Sequence, residues 1–210
     1  MGSSDPQKEF DDIFTRRVQM TGDCFFLATE EEVRAEYSAM AQSRKYDLRP
    51  GFRFDDIDVL TKVCAPGTVD RFVEWESEKQ NLESLSGVYI ADLDHHPGNG
   101  PTAGPHFPSL ITHSTMYSWS QGRLATGLEG FAAHGVHMFE KACPGPACRF
   151  PFTNVIRRMS RRHQGILAGN SLHCPSILAW YVYCLGNLQS RAEPTRMPMR
   201  FPVPEDEQDD

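Results

Sequence analysis

Two stretches decide the fold: RLATGLEGFAAHG (Arg123–Gly135) and QGILAGNSLHCPSILAWYVYCLGN (Gln164–Asn187). In the first, Thr126 stands three residues before Glu129 and ahead of an apolar run. That is the spacing of a capping box, in which each side chain answers the other residue's backbone N–H. It predicts a short helix over 126–135, with a cap worth about 1 kcal/mol. In the second, Gly169, Asn170 and Ser171 precede Pro175 and an apolar run, which predicts a turn entering a final helix over 176–188. Asn and Ser at a helix entry would present amide, hydroxyl and free backbone N–H groups to a polar ligand.

Working outward, RRVQMTGDCFFLA (Arg16–Ala28) is rich in β-formers and reads as a strand. TEEEVRAEYSAMAQSRK (Thr29–Lys45) opens with a second Thr-x-x-Glu cap and reads as a helix. VDRFVEWESEKQNLESL (Val69–Leu85) follows Pro66 and Gly67 with helical spacing, and GVYIADL (Gly87–Leu93) is a short strand. DHHPGNGPTAGPHFP (Asp94–Pro108) reads as a loop without regular structure. Beyond it come an extended piece over SLITHSTMYS, the 126–135 helix, a Cys/Pro loop over 143–151, one basic helix and the final apolar helix. The order is mixed α/β with no internal repeat. Residues 1–12 and 189–210 read as tails, the second carrying Pro194, Pro198, Pro202 and Pro204 before its acid run, and residues 13–188 form the domain between them.

The 210 residues are 40% hydrophobic, 10% aromatic and 23% charged. Collagen-like, coiled-coil and disulfide-scaffold classes are excluded by that balance, and a chain of this length hides about 70% of its extended surface on folding. The longest strongly apolar stretch, Ile177–Leu185, is too short to span a bilayer, so no membrane partner is expected. MGSSDPQKEFDD lacks the apolar run of a secretory signal, and Pro6 stands where a myristoylation motif takes Ser or Thr. The expectation is an intracellular protein, the nucleus included, whose six cysteines are thiols or ligands. The net charge of -7 argues against a general nucleic-acid binder, although base concentrates in RRMSRRH (Arg157–His163).

The order Arg123-x-x-Thr126-x-x-Glu129, a small helix ending His134-Gly135, and then Gly169-Asn170-Ser171 running into an apolar helix resembles the cytosine-5 DNA methyltransferase family. It matches that family's ninth and tenth motifs. FPSLITHSTMYSW is similar to the extended segment before the ninth motif, and TRRVQMTGDCFFLA, with Arg16 or Arg17, to a degraded eighth-motif strand. The resemblance covers residues 14–188, with its more specific part over 107–187. It implies a partial Rossmann-like methyltransferase fold: the closing strand and helices plus a small, reduced target-recognition region. It further implies that Gly169, Asn170 and Ser171 meet S-adenosylmethionine, while Arg123, Thr126 and Glu129 are structural. The family's reaction begins with a cysteine thiolate attacking a flipped cytosine. No Phe-x-Gly-x-Gly cofactor turn, Pro-Cys nucleophile loop or Glu-Asn-Val stands in this sequence. No catalytic residue is therefore assigned, and S-adenosylmethionine and DNA binding are expected only with a partner that supplies those motifs.

Other constellations carry narrower readings. His134, His137, Cys143 and Cys148 are four zinc-type ligands close together, at a spacing unlike the common fingers. DLDHHPG (Asp92–Gly98) resembles the Asp-His-His motif of metal-dependent phosphoesterases, although FDDID (Phe54–Asp58) is a poor match for the upstream motif of that class. GNGPTA (Gly98–Ala103) is excluded as a dinucleotide turn because Pro101, Pro105 and Pro108 forbid the helix that must follow. Arg157 and Arg161, and Arg158 and Arg162, stand at i, i+4; on one helix they make two stripes of guanidinium suited to phosphate. Trp75, Trp119, Trp180, Tyr181 and Tyr183 are expected in the core. The alternative to the methyltransferase reading is a stand-alone protein-interaction module on the same scaffold, using the arginines and the acidic tail.

Overall fold

The computed structural model describes residues 20–81, 87–99, 103–141 and 150–187. Seven α-helices are described in chain order: α1 (Glu30–Ser43), α2 (Ile57–Val63), α3 (Pro66–Asn81), α4 (Gly127–Ala133), α5 (Thr153–Arg157), α6 (Arg161–Gly169) and α7 (Cys174–Asn187). Four short strands, β1 (Ile90–Asp92), β2 (Ala103–Gly104), β3 (Met116–Ser118) and β4 (Arg123–Leu124), form one sheet in the order β2-β1-β3-β4. Every pairing in it is antiparallel, with Ala91 opposite Ala103 on one side and Tyr117 on the other, and Tyr117 opposite Leu124. The chain is thus mixed α/β, and helix predominates.

Local chemistry explains most boundaries. Thr29 accepts a hydrogen bond from the Glu32 amide at 3.2 Å, while Glu32 accepts from the Thr29 amide at 2.9 Å, so α1 starts on a complete capping box. Helix α2 was not expected; Asp56 caps it by accepting from the Asp58 amide at 2.9 Å. Helix α3 starts three residues earlier than Val69 because Pro66 fits a first helical turn, where its missing N–H is no loss. The region 94–108 is not wholly irregular: a 3-10 turn over Pro97–Asn99 and strand β2 lie within it.

Three expectations are corrected. The segment up to Ala28 is no strand in its described part: Gly22–Phe25 form a 3-10 turn, and Phe26–Ala28 lie outside the sheet without regular structure. Gly22 sits where a Cβ would lie 2.5 Å from the Phe107 amide nitrogen and 2.6 Å from Ile90, and its own amide bonds the Pro105 carbonyl at 2.8 Å. Arg16 and Arg17 lie outside the described residues. The single basic helix is two helices, since Ser160 caps α6 by accepting from the His163 amide. The final helix begins at Cys174, and Trp180 and Tyr181 on it are 51% and 61% exposed, not core.

The main core gathers Val33, Tyr37 and Ala41 of α1, Leu60 and Val63 of α2, Trp75 of α3, and Tyr89, Ala91, Leu93, Tyr117 and Leu124 around the sheet. Tyr37 is its hinge. Its ring packs on Phe52 and Phe54 at 5.9 and 5.1 Å, and its hydroxyl accepts from the Leu124 amide at 2.9 Å. Burial pushes its ionisation far above the usual tyrosine range, so it stays a neutral partner of β4. A smaller core, with Phe131, Ala132, Met138, Phe139, Ile156 and Ala168, joins α4 to α5 and α6.

Helices α4 and α6 approach closely because glycines line the contact. A Cβ on Gly130 would meet Ala168 at 3.5 Å, an ordinary contact, whereas one on Gly169 would lie 2.3 Å from the Ile111 carbon and the Thr112 nitrogen. Gly130→Ala should therefore be neutral or gain up to about 1 kcal/mol through helix propensity. Gly169→Ala should cost about 1–3 kcal/mol, because backbone cannot move aside as a side-chain tip does. Urea melts of the two variants check the opposite signs.

Candidate functional site

The ninth-motif residues meet in one buried cluster. Thr126 and Glu129 form the expected capping box: the Thr126 hydroxyl accepts from the Glu129 amide at 3.3 Å, and Glu129 Oε2 accepts from the Thr126 amide at 2.7 Å. Arg123, on β4, donates to both carboxylate oxygens of Glu129, at 2.9 and 2.8 Å. Glu129 is completely buried and Arg123 is 7% exposed. A third donor comes from far away in sequence: the Ala28 amide bonds Glu129 Oε1 at 2.8 Å. The guanidinium also donates to the Leu124 carbonyl at 3.0 Å and lies 4.8 Å from the centre of the Phe26 ring. Every member is partnered, the condition under which a buried ion pair holds geometry.

The tenth-motif triplet lies elsewhere on the α4–α6 pair. Gly169 is the last residue of α6 and Asn170 its C-cap, so the triplet closes α6 instead of opening α7. The Ser171 hydroxyl donates to the Ala168 carbonyl at 2.7 Å, Gly169 is pressed on the Ile111–Thr112 backbone, and Asn170 is exposed. Of the three, Asn170 alone has an uncommitted side chain among the described residues, and none lines the two hollows that flank α6.

The four arginines divide into pairs with different fates. Arg157 donates to Glu32 at 2.7 Å and to the Met138 carbonyl at 3.0 Å. Arg161 pairs with Glu36 and donates to the Ala125 carbonyl at 2.8 Å. Two of the candidate phosphate binders are thus bound to α1, leaving Arg158 and Arg162 without an acid partner among the described residues. Burial raises the Glu32 carboxyl, but the Arg157 hydrogen bond and the Thr29 amide outweigh it and hold the group below its usual value. A depressed carboxylate contributes stability in full above its unfolded range and loses it as pH falls through the folded value.

Sequence reasoning missed Glu32 and Glu36 as partners. Their i, i+4 step on α1 matches the step from Arg157 to Arg161 with opposite sign, which was the available signal.

The other constellations have structural occupations. Asp92 is completely buried; its Oδ1 accepts from the Asp94 and Thr115 amides, each at 3.0 Å, and its Oδ2 lies 3.0 Å from His95 Nδ1. Asp94 receives Thr68 at 3.1 Å and Thr115 at 2.6 Å and lies 3.5 Å from Arg71. The DLDHH string so pins the turn after β1 to β3 and α3. His134 caps α4, where burial and neighbouring His173 pull its ring below the usual imidazole range, and His137 is exposed. Cys143 and Cys148 lie outside the described residues. Among the described residues, no group of three or more His, Cys, Asp or Glu stands close enough to hold a metal.

Two hollows flank α6. One of about 620 Å³ lies between α1, α5 and α6, where Glu32 and Glu36 face Arg157 and Arg161. The other, about 510 Å³, opens between the end of α1, the start of α3, the segment before β3, and α6.

Removing one partner of the buried pair leaves a charge without compensation. Arg123→Met or Glu129→Leu alone should cost about 3–5 kcal/mol, and the double variant less than the sum of the two, because both charges leave together. Chemical denaturation of the three variants measures the coupling.

No protein-family model matches the chain, and no curated protein matches it.

Proposed function

We propose that this chain is the ninth- and tenth-motif portion of a cytosine-5 methyltransferase-like assembly, non-catalytic by itself. It docks on a half that carries the cofactor loop and the nucleophile, in another chain or in a longer polypeptide. The observation that carries this reading is the surface of α7. Leu178, Tyr181, Val182 and Leu185 stand at i, i+3, i+4 and i+7, one stripe of a helix, and are 65%, 61%, 62% and 68% exposed. A contiguous apolar stripe open to water is the mark of a docking face. In the resembled fold the last helix packs beside the cofactor-binding sheet, an apolar surface of the kind such a stripe would cover.

The nearness of the two motif segments supports the same reading: α4, whose start the buried Arg123–Glu129 pair fixes, packs against α6, which ends at Gly169. In the assembly, Asn170 at the α6–α7 turn would face the cofactor, and nucleic-acid contact would fall to Arg158 and Arg162. The rival reading, a stand-alone interaction module, uses the same stripe for a partner without methyltransferase motifs.

Two results are expected. The isolated chain forms no covalent adduct with a 5-fluorocytosine DNA duplex, because no positioned thiolate is available to attack C6; an adduct on any cysteine would overturn the non-catalytic reading. A photo-crosslinker at position 182, used in extract of the source organism, captures a protein bearing Phe-x-Gly-x-Gly and Pro-Cys. Capture only of this chain's own copies, or of proteins without those motifs, would defeat the assembly.

A further inference from the structure

The 510 Å³ cleft is distinct from the tenth-motif turn and from the apolar stripe of α7, and its charge is out of balance. Arg44, Arg161 and Arg162 line it against a single carboxylate, Asp94. Arg161 is already neutralised by Glu36, and Asp94 is already held by Thr68, Thr115 and Arg71. Two guanidinium groups remain, Arg44 and Arg162, and neither has an acid partner among the described residues, in a chain whose net charge is -7.

Arg44 gives the second observation. It is the C-cap of α1, and its Nε is buried without a hydrogen-bond partner. A buried guanidinium N–H left unpaired carries a desolvation penalty, so the Arg44 side chain gains from a shift that brings a ligand acceptor onto its fork. Cys64 beside it cannot supply a negative charge, because burial pushes its thiol up to about 11. Met40, Leu110 and Met116 add apolar surface to the lining, which suits the carbon body of a ligand. The volume falls within the range of about 300–1,000 Å³ usual for small-molecule sites.

We propose that this cleft binds a small organic oxyanion, a phosphate ester or a polycarboxylate, through Arg44 and Arg162. The cleft is recessed between α1, α3 and α6, which favours a small molecule over a polymer that would track along an exposed basic face. The inference uses none of the ninth- or tenth-motif residues as ligands and shares with the methyltransferase reading only Arg162.

Titration calorimetry of the full chain with ADP, pyrophosphate and citrate tests it. At least one binds, and the preference among them separates phosphate from carboxylate chemistry. Arg162→Met and Arg44→Met each weaken that binding about tenfold or more, as loss of a charge-assisted hydrogen bond does. Arg49→Met, at an exposed arginine outside the cleft, leaves it within about twofold. Arg162 is exposed, so its variant keeps the test decisive even if Arg44→Met fails to fold. Binding by none of the three anions, or equal loss in Arg49→Met and Arg162→Met, would overturn the proposal. So would a single-stranded oligonucleotide that depends on both cleft arginines and is not displaced by the small anions.

Discussion

Arg123 and Glu129 stand six residues apart and are both withdrawn from water, and a buried carboxylate is tolerable only when its acceptor sites are filled. Glu129 fills them with the two ends of the Arg123 fork, the Thr126 amide and the Ala28 amide. Each donor belongs to a different piece of structure: β4, the start of α4 and the segment that enters α1. Those pieces cannot separate without exposing the pair or leaving a charge unpartnered. The orientation of β4 is fixed from the other side by Tyr37, whose hydroxyl takes the Leu124 amide. The sheet, α1 and α4 therefore share one polar joint set between two apolar cores.

Around that joint, the arginines of α5 and α6 act first as ties and only then as a recognition surface. Arg157 and Arg161 reach across 125 residues of sequence to Glu32 and Glu36, closing α1 onto the α5–α6 corner. Such partly exposed pairs are individually modest, but they orient α6. That orientation leaves Arg162 lining both hollows beside α6, presses Gly169 on the Ile111–Thr112 backbone, and leads into α7 with its apolar stripe outward.

Local signals were legible and non-local ones were not. Both capping boxes read directly, because Thr and Glu three apart need nothing beyond one helical turn. Helix α2 escaped notice since seven residues hold too few periods for a pattern, and Asp56 marked its start only weakly. The arginine run reads as one helix by spacing, but Ser160 caps a new helix in its middle, and local capping wins over charge periodicity. Gly-Asn-Ser suits a helix end as well as a helix entry; the close contact with Ile111 and Thr112, invisible in sequence, decides for the end. The apolar composition of α7 suggests burial, whereas exposure is decided by what else is present to cover it. The cleft of Arg44 and Arg162 left no pattern at all, since its walls come from six separated segments.

Native-state hydrogen exchange at the Ala28 and Thr126 amides tests the central role of the buried pair most directly. Both amides donate to Glu129 and belong to no ladder, so if the joint is the keystone they exchange only through global unfolding, with the same protection as the sheet amide of Ala91. Exchange about a hundredfold faster than Ala91, as expected of an ordinary loop that opens locally, would contradict the account.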